Sequence, residues 1–476
     1  MTKGQTMTPP ETLAERREHG RNARRNTPRS ANSDIGNTHR DPVRLLRESS
    51  RGRVESLVPL RYGRMLESPF TFYRGSAIIQ AHDLAKTANS GFHFQICGDC
   101  HLMNFGGFAT PERALVFDIN DFDETAIGPW EWDLKRLTAS LHIAVRHLGH
   151  GDRLADETVA SCVQSYQHWT SEYAQMSPLE LWCELITFAR LEEISPTDDA
   201  RRRIRNSIAK ASRRTHETIL PKLASHREGL WQIRDVPPTV FHVHGKNTLF
   251  THKDDWVGLG DWRTLMAPIY EDYLKSLGTV RRTLLDHFSM HDMAFKVVGV
   301  GSVGTRCLIL LMVDQHEKPL FIQFKEASTS VVSRYFKAAG PKHQGQRVVD
   351  GQRLMQGASD PFLGWTTGPF GRSIYGRQLR DMKISATLEL FAKETFRQYA
   401  AMCGWVLARA HAKAGGLATE VDAYLGNGDQ MTDALILYSR AYADQVEKDF
   451  EIFRHACRSG KLEARTDTDM AADFVA

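Results

Sequence analysis

"FKVVGVGSVGTRCLILLMVDQHEKPLFIQFKEA", residues 295–327, poses the fold question most sharply. Gly299-Val300-Gly301-Ser302-Val303-Gly304 has the form G-x-G-x-x-G. Backbone amides in such a loop can approach phosphate oxygens because no Cβ stands in the way. Two unrelated nucleotide folds use the pattern, and the residues that follow separate them. In a dinucleotide-binding fold the glycines open a helix. Here Thr305-Arg306-Cys307-Leu308-Ile309-Leu310-Leu311 follows, a β-type run without a helix cap. Strand, glycine loop and strand is the arrangement in which the loop lies over nucleotide phosphates. Lys325, on the next strand, would set its ammonium on the same phosphates. The plainer alternative is an edge-strand lysine in an ordinary β-meander.

Phosphoryl transfer also needs a carboxylate to orient the attacking hydroxyl, and oxygen ligands for Mg²⁺. "QICGDCHLMNF" (95–105) and "FDINDFDE" (117–124) supply both. Asp99 is the candidate catalytic carboxylate, and Asn104 one candidate metal ligand. Asp121 is the second, with Asp118 and Asp123 as rivals. In a strand, Asp121 and Asp123 would point one way and Asp118 the other. A solvated or calcium-like acidic turn is the alternative for this cluster. "FHFQICGD" and "RALVFDIND" read as two strands that together suggest a hairpin. The acid expected to hold Lys325 is Asp350 in "GQRVVDGQRLMQ" (345–356), because Glu326 would face the opposite side of the strand. Cys97-Gly98-Asp99-Cys100-His101 also fits the haem-attachment pattern C-x-x-C-H. Covalent haem belongs to exported proteins, and the first thirty residues hold no apolar signal region, so no haem is expected. No structural zinc is expected either, since no second ligand pair lies at a suitable distance.

The composition is that of a globular protein of 476 residues, with 41% hydrophobic and 25% charged residues. A net charge of +4 gives no overall polyanion-binding character, so no specific nucleic-acid binding is expected. No stretch is apolar for long enough to span a membrane. Seven scattered cysteines fit reduced thiols in a cytoplasm better than a disulfide framework. Residues 1–40, polar and Arg-rich, read as a disordered basic tail. Residues 41–292 read as the first part of a helical lobe carrying the catalytic and metal loops. Residues 293–387 read as a β-rich nucleotide-binding lobe, and 388–476 as a helical segment completing the large lobe. Among the helices, "FRQYAAMCGWVLARAHAKAGG" puts Phe396, Tyr399, Cys403, Val406 and Ala410 on one face and stops at Gly415-Gly416.

"CGDCHLMNF…INDFDETAIGPWEWDL" resembles the H-G-D-x-H-x-x-N…I-D-F…G…D-L pattern of the aminoglycoside-phosphotransferase-like kinases. Asp99, His101, Asn104, Asp121, Gly128 and Asp133 fall on its positions. The wider chain, roughly 42–455, resembles the uncharacterised bacterial domain-of-unknown-function family 2252, which is grouped with the protein-kinase-like superfamily. Two departures stand out. Cys97 replaces the kinase histidine, which removes a hydrogen-bonding support of the catalytic loop. The order is also reversed, with the catalytic and metal loops before the glycine loop and lysine. The resemblance therefore implies an α+β, protein-kinase-like two-lobed fold in circularly permuted order, a small β-rich lobe beside a large helical one. If so, Gly415 should lie close to the strand that enters Cys97. The implied function is an ATP- and Mg²⁺-dependent phosphotransferase acting on a small-molecule acceptor, with residues 150–290 shaping the acceptor pocket. Gly299, Gly301, Ser302, Gly304 and Lys325 would hold the nucleotide, and Asn104 and Asp121 the metal. Asp99 would position the acceptor, supported by His101, Asp118, Asp123, Asp133 and Asp350. A nucleotide-binding pseudokinase scaffold and an AMP-transferring enzyme are the alternatives.

Overall fold

The computed structural model describes residues 11–195, 197–213, 215–227, 229–243, 248–250, 254, 260–379 and 382–474. The strand Cys307–Asp314 is apolar up to Val313 because both of its faces are covered. Leu308, Leu310 and Met312 enter one core with Phe241, Phe295 and Phe324. Ile309, Leu311 and Val313 enter another with Leu220, Ile233 and Phe321. A strand buried on one face alone would alternate polar and apolar residues.

Around it lies a six-stranded antiparallel sheet. The order is Gly364–Thr367, Ser373–Gln378, Pro319–Glu326, Cys307–Asp314, Phe288–Lys296 and Val240–Phe241. The helix Trp262–Leu277 covers one face, with Tyr273 edge-on to Phe324 at 5.0 Å. The sheet-centred part thus begins upstream of the expected boundary at 293. Phe241, Phe250, Met266, Tyr273 and Leu285 pack into it, as do Val54, Leu57 and Leu60. Their apolar pattern shows that they are buried but not which core buries them.

The helical part is organised on Trp130–His147, whose residues are buried from Trp130 through Val145. Helices Asp152–Tyr173, Lys393–Gly415 and Gln430–Arg458 belong to the same core. The helix Lys393–Gly415 approaches Asp152–Tyr173 so closely that a Cβ on Gly404 would lie 2.2 Å from the Cys162 carbonyl oxygen. Trp405 stacks on Trp169 beside that contact, at 4.1 Å between ring centres. The chain is therefore mixed α+β.

Three expectations change. Over its described residues the basic tail is ordered. Helix Leu13–Asn26 starts with a Thr12–Glu15 capping box, Gly20 packs on the Glu420 carbonyl, and Arg16 pairs with Glu420 at 2.7 Å. Arg16 and Arg40 pair with Glu420 and Asp449, acids more than 400 residues away in sequence, which composition cannot reveal. The expected hairpin is also re-paired. His93–Ile96 pairs with Ala126–Pro129, and Leu115–Ile119 pairs with Phe105–Ala109 inside that ladder. The glycines of "FGGFA" look like strand breakers but mark close approach instead. A Cβ on Gly106 would meet Ile384 O at 2.5 Å, and one on Gly107 would meet the Phe188 ring at 2.7 Å. The third change concerns Asp350, which is exposed on helix Gln344–Met355. It is not the partner of Lys325.

Candidate functional site

A cleft of about 150 Å³ is lined by three stretches of chain, 49–78, 99–124 and 299–334. Among the described residues, none of 150–290, the region expected to shape an acceptor pocket, lines it.

The glycine loop forms one wall. Gly299 and Gly304 have φ of +61° and +83°, the left-handed region that glycine enters without steric cost. Arg53 Nη1 donates to Val303 O at 2.6 Å, and Arg64 Nη1 to Gly299 O at 2.8 Å. Beneath the loop, Lys325 Nζ donates to Ser302 Oγ at 2.9 Å and to Asp123 Oδ2. Tyr375 donates from the neighbouring strand to Asp123 Oδ1 at 2.7 Å. Burial alone would raise the Asp123 carboxyl, but the Lys325 ammonium and the Tyr375 hydroxyl outweigh it and hold it below the usual range. Burial works against the Lys325 charge in the same way, and Asp123 overrides it upward. The acid that holds the lysine is therefore Asp123. The helix after the lysine strand contributes Arg347 instead of an acid. It clamps the carbonyls of Asp123, Thr125 and Ser328.

The acidic wall is held from below. Asp133, fully buried, accepts from Cys97 N at 2.6 Å and Gly98 N at 2.8 Å. The ring of His411, on helix Lys393–Gly415, lies 3.2 Å from the same carboxylate. The support expected from the missing kinase histidine thus comes from Asp133. Gly98 has φ of +81°, and a Cβ there would collide with the Glu124 carbonyl at 2.2 Å. Cys97 Sγ donates to Asp121 O at 3.2 Å, tying the Asp99 loop to the Asp121 loop. Burial, with Asp133 and Asp99 nearby, pushes the Cys97 thiol up to about 11 even though a Cys100 hydrogen bond opposes the shift.

On this frame Arg136 Nε donates to Asp99 Oδ1 at 2.7 Å. The second oxygen, Oδ2, lies 4.0 Å from His101 Nε2. Burial first, then Arg74 and Arg136, hold His101 well below its ordinary value, so the ring is neutral. Asn104 Nδ2 donates to Asp99 O at 2.6 Å, which leaves its amide oxygen free of that bond. Asp121 lines the cleft without an ion-pair partner among the described residues, within the fields of Lys325 and Arg377. Asp118 points elsewhere, into a buried pair with Arg409 at 2.7 Å. Asp99, His101, Asn104, Asp121, Asp123, Gly299, Gly301 and Ser302 thus share one cleft, whereas Asp118 and Asp350 lie outside it.

Asn104, Asp121 and Asp123 form a set of hard oxygen donors that suits Mg²⁺, an ion held by one or two carboxylates together with substrate phosphates. No group of three or more His, Cys, Asp or Glu residues among the described residues is arranged to hold a metal ion. Arg136, Tyr375 and His411 were not visible as site residues in the sequence. Only Arg136 left a signal, because it follows Asp133 by one helical turn and so shares its helix face.

The site thus combines a sheet-borne lysine under a glycine loop with an acidic loop pair on a helical base. The chain belongs to an uncharacterised family conserved in bacteria, DUF2252, whose family model matches residues 53–456. No curated protein and no solved structure matches it.

Proposed function

We propose that this protein is an ATP- and Mg²⁺-dependent phosphotransferase of permuted kinase-like architecture. One observation carries the reading: the glycine loop meets Asp99, Asn104, Asp121 and Asp123 in one cleft, and buried Lys325 joins the two sets from beneath by bonding Ser302 and Asp123, although some two hundred residues separate them. Gly415 supports the permuted order. Its Cβ position lies 2.7 Å from the ring of Phe94, on the strand that enters Cys97.

On this reading the glycine-loop amides and Lys325 hold the nucleotide phosphates. Lys325 exchanges Asp123 for phosphate oxygen when ATP enters. Asn104, Asp121 and the released Asp123 would hold Mg²⁺, which neutralises charge on the phosphates. Arg136 fixes Asp99 so that Oδ2 faces the acceptor hydroxyl. The hydroxyl oxygen bonds to the γ-phosphorus as the bond from that phosphorus to the bridging oxygen of ADP breaks. Asp99 takes the hydroxyl proton. On this reading the acceptor is a small molecule that bears a hydroxyl. No helix among the described residues is long and apolar enough to cross a membrane, and all seven cysteines are free. Both features agree with work in an ATP-rich reducing cytoplasm.

The test is incubation with α- and γ-labelled ATP, Mg²⁺ and a metabolite mixture, beside Asp99→Ala and Lys325→Ala. Transfer of γ-label that both variants lose supports the reading. Transfer of α-label instead identifies an AMP-transferring enzyme. ATP binding without turnover above the Asp99 variant identifies a pseudokinase scaffold.

A further inference from the structure

The cleft has a wall that phosphoryl transfer from ATP does not by itself require. Arg53, Arg61 and Arg74 lie along it, all from the segment that braces the glycine loop. None has a carboxylate partner among the described residues. Arg61, 2% exposed, donates to Ser50 Oγ at 2.6 Å, Ser49 Oγ at 3.1 Å and Gly75 O at 2.8 Å, all neutral atoms. Arg53 donates to the carbonyls of Ser49 and Val303. Arg74 makes no hydrogen bond or ion pair among the described residues, and its buried Nε has no partner, as is also true of Arg61 Nε. Burial depresses all three guanidiniums. Burying a cation without an anion costs several kcal/mol, which a bound anion would offset.

Position separates Arg74 from the nucleotide end, whereas Arg53, bonded to Val303 O and within the fields of Glu124 and Asp123, belongs to the glycine-loop side. The carboxylates whose fields reach Arg74 are Asp99 and Glu67. Those whose fields reach Lys325 are Asp123 and Asp121. Arg74 therefore stands at the Asp99 end, where an acceptor hydroxyl would sit. A guanidinium presents a fork of donors that fits a phosphate or carboxylate.

We propose that Arg74, flanked by Arg61 and Arg53, binds an oxyanion of the acceptor, so that the substrate is an anionic small molecule carrying a hydroxyl. The inference rests on the phosphotransferase reading for the word "acceptor". The anion site itself stands on the arginines.

The experiment titrates inorganic phosphate, and citrate in parallel, into the full chain by calorimetry. It is run with and without saturating Mg²⁺ and a non-hydrolysable ATP analogue. Wild type is expected to bind phosphate or citrate with the analogue present. Arg74→Gln is expected to weaken that binding at least tenfold, the loss of one charge-assisted contact. Arg74→Lys should retain part of it, and analogue affinity should stay within twofold in both variants. Arg74 is only half-buried, and an unchanged thermal midpoint would show that the variants are folded. Tighter phosphate binding assigns a phosphate ester, and tighter citrate binding a carboxylate. Absence of anion binding overturns the proposal. So does displacement of the anion by the analogue, or an Arg74→Gln loss that falls on the analogue, because the arginines would then serve the nucleotide. If the analogue fails to bind while Arg74-dependent anion binding persists, the phosphotransferase reading fails and the anion site remains.

Discussion

The two walls of the cleft treat charge in opposite ways. On the acidic wall most carboxylates have a cation or backbone amides. Asp99 has Arg136, Asp123 has Lys325, Glu326 has Arg306 and Arg372, and Asp133 has Cys97 N and Gly98 N. On the arginine wall the guanidiniums meet carbonyls, hydroxyls and aromatic rings, and no carboxylate among the described residues. The first wall is complete as it stands. The second is satisfied only when a ligand brings negative charge. Asp121 is the exception on the acidic side, since it lines the cleft without an ion-pair partner among the described residues. The contrast teaches that the unpaired groups, more than the paired ones, indicate what the site receives.

Breaking the acidic wall at its reactive end should have the largest effect. Asp99→Asn keeps the shape and removes the proton acceptor. Transfer of γ-label should fall by about 10²–10⁴, the usual contribution of a positioned general base. Nucleotide affinity measured by calorimetry should hold within twofold. A variant that keeps more than a tenth of the wild-type transfer rate would remove Asp99 from the chemistry.

The next effect tests the frame. Asp133→Ala strands one buried and one partly buried amide and leaves His411 without its carboxylate. Urea denaturation should show a loss of about 3–5 kcal/mol, the scale for breaking a buried charge-bearing network on one side. A loss below about 1 kcal/mol, the worth of one ordinary hydrogen bond, would mean that the loop is held by other contacts.

The Lys325–Asp123 contact joins the two halves of the site, and pH probes it. Asp123 is held below its ordinary value in the folded chain. Its contribution is therefore complete above the ordinary aspartate range and is lost as pH falls through the depressed folded value. Asp123→Asn should lower stability by about 2–3 kcal/mol at pH 7, since it leaves the lysine buried without its charge partner. It should also flatten the acid limb of the stability profile measured by denaturant titration at pH 2–6. An acid limb as steep as that of wild type would place the linkage elsewhere.

These residues also show what a linear chain can and cannot disclose. Lys325, Asp99, Asn104 and Asp121 were legible because each follows a local cue, a glycine loop between β-runs or an Asp and Asn at fixed spacing. The mixed α+β class followed from the change of hydrophobic period. The lysine's partner was not legible. A helix acid such as Asp350 is expected when the lysine strand and the next helix close the site by themselves. Here the partner comes from a loop two hundred residues upstream, and no local pattern encodes that contact. The arginine wall was hidden for a related reason. Arg61 and Arg74 sit among ordinary helical residues and Arg53 in a bend, and only tertiary packing shows that they lack counter-charges. The inner strand of the acidic hairpin was missed because Gly106 and Gly107 permit close approach, which single-sequence reading cannot tell from strand breaking.

The smallest effect tests how tightly the acidic wall is closed. Cys97 and Cys100 are buried beneath it, and Cys183 is exposed. Thiolate is the reactive form, and burial pushes Cys100 well up while Cys97 rises to about 11. At pH 8 iodoacetamide should therefore label Cys183 first and leave Cys97 and Cys100 unmodified, as read by mass spectrometry of digested protein. Asp133→Asn should sharpen the result. The loop that carries Cys97 would lose its charged acceptor, and labelling of Cys97 should rise several-fold while that of Cys183 does not change. Rapid labelling of Cys97 in wild type would mean that the loop opens to solvent, so that the contrast between a closed acidic wall and an open arginine wall belongs to one conformation only.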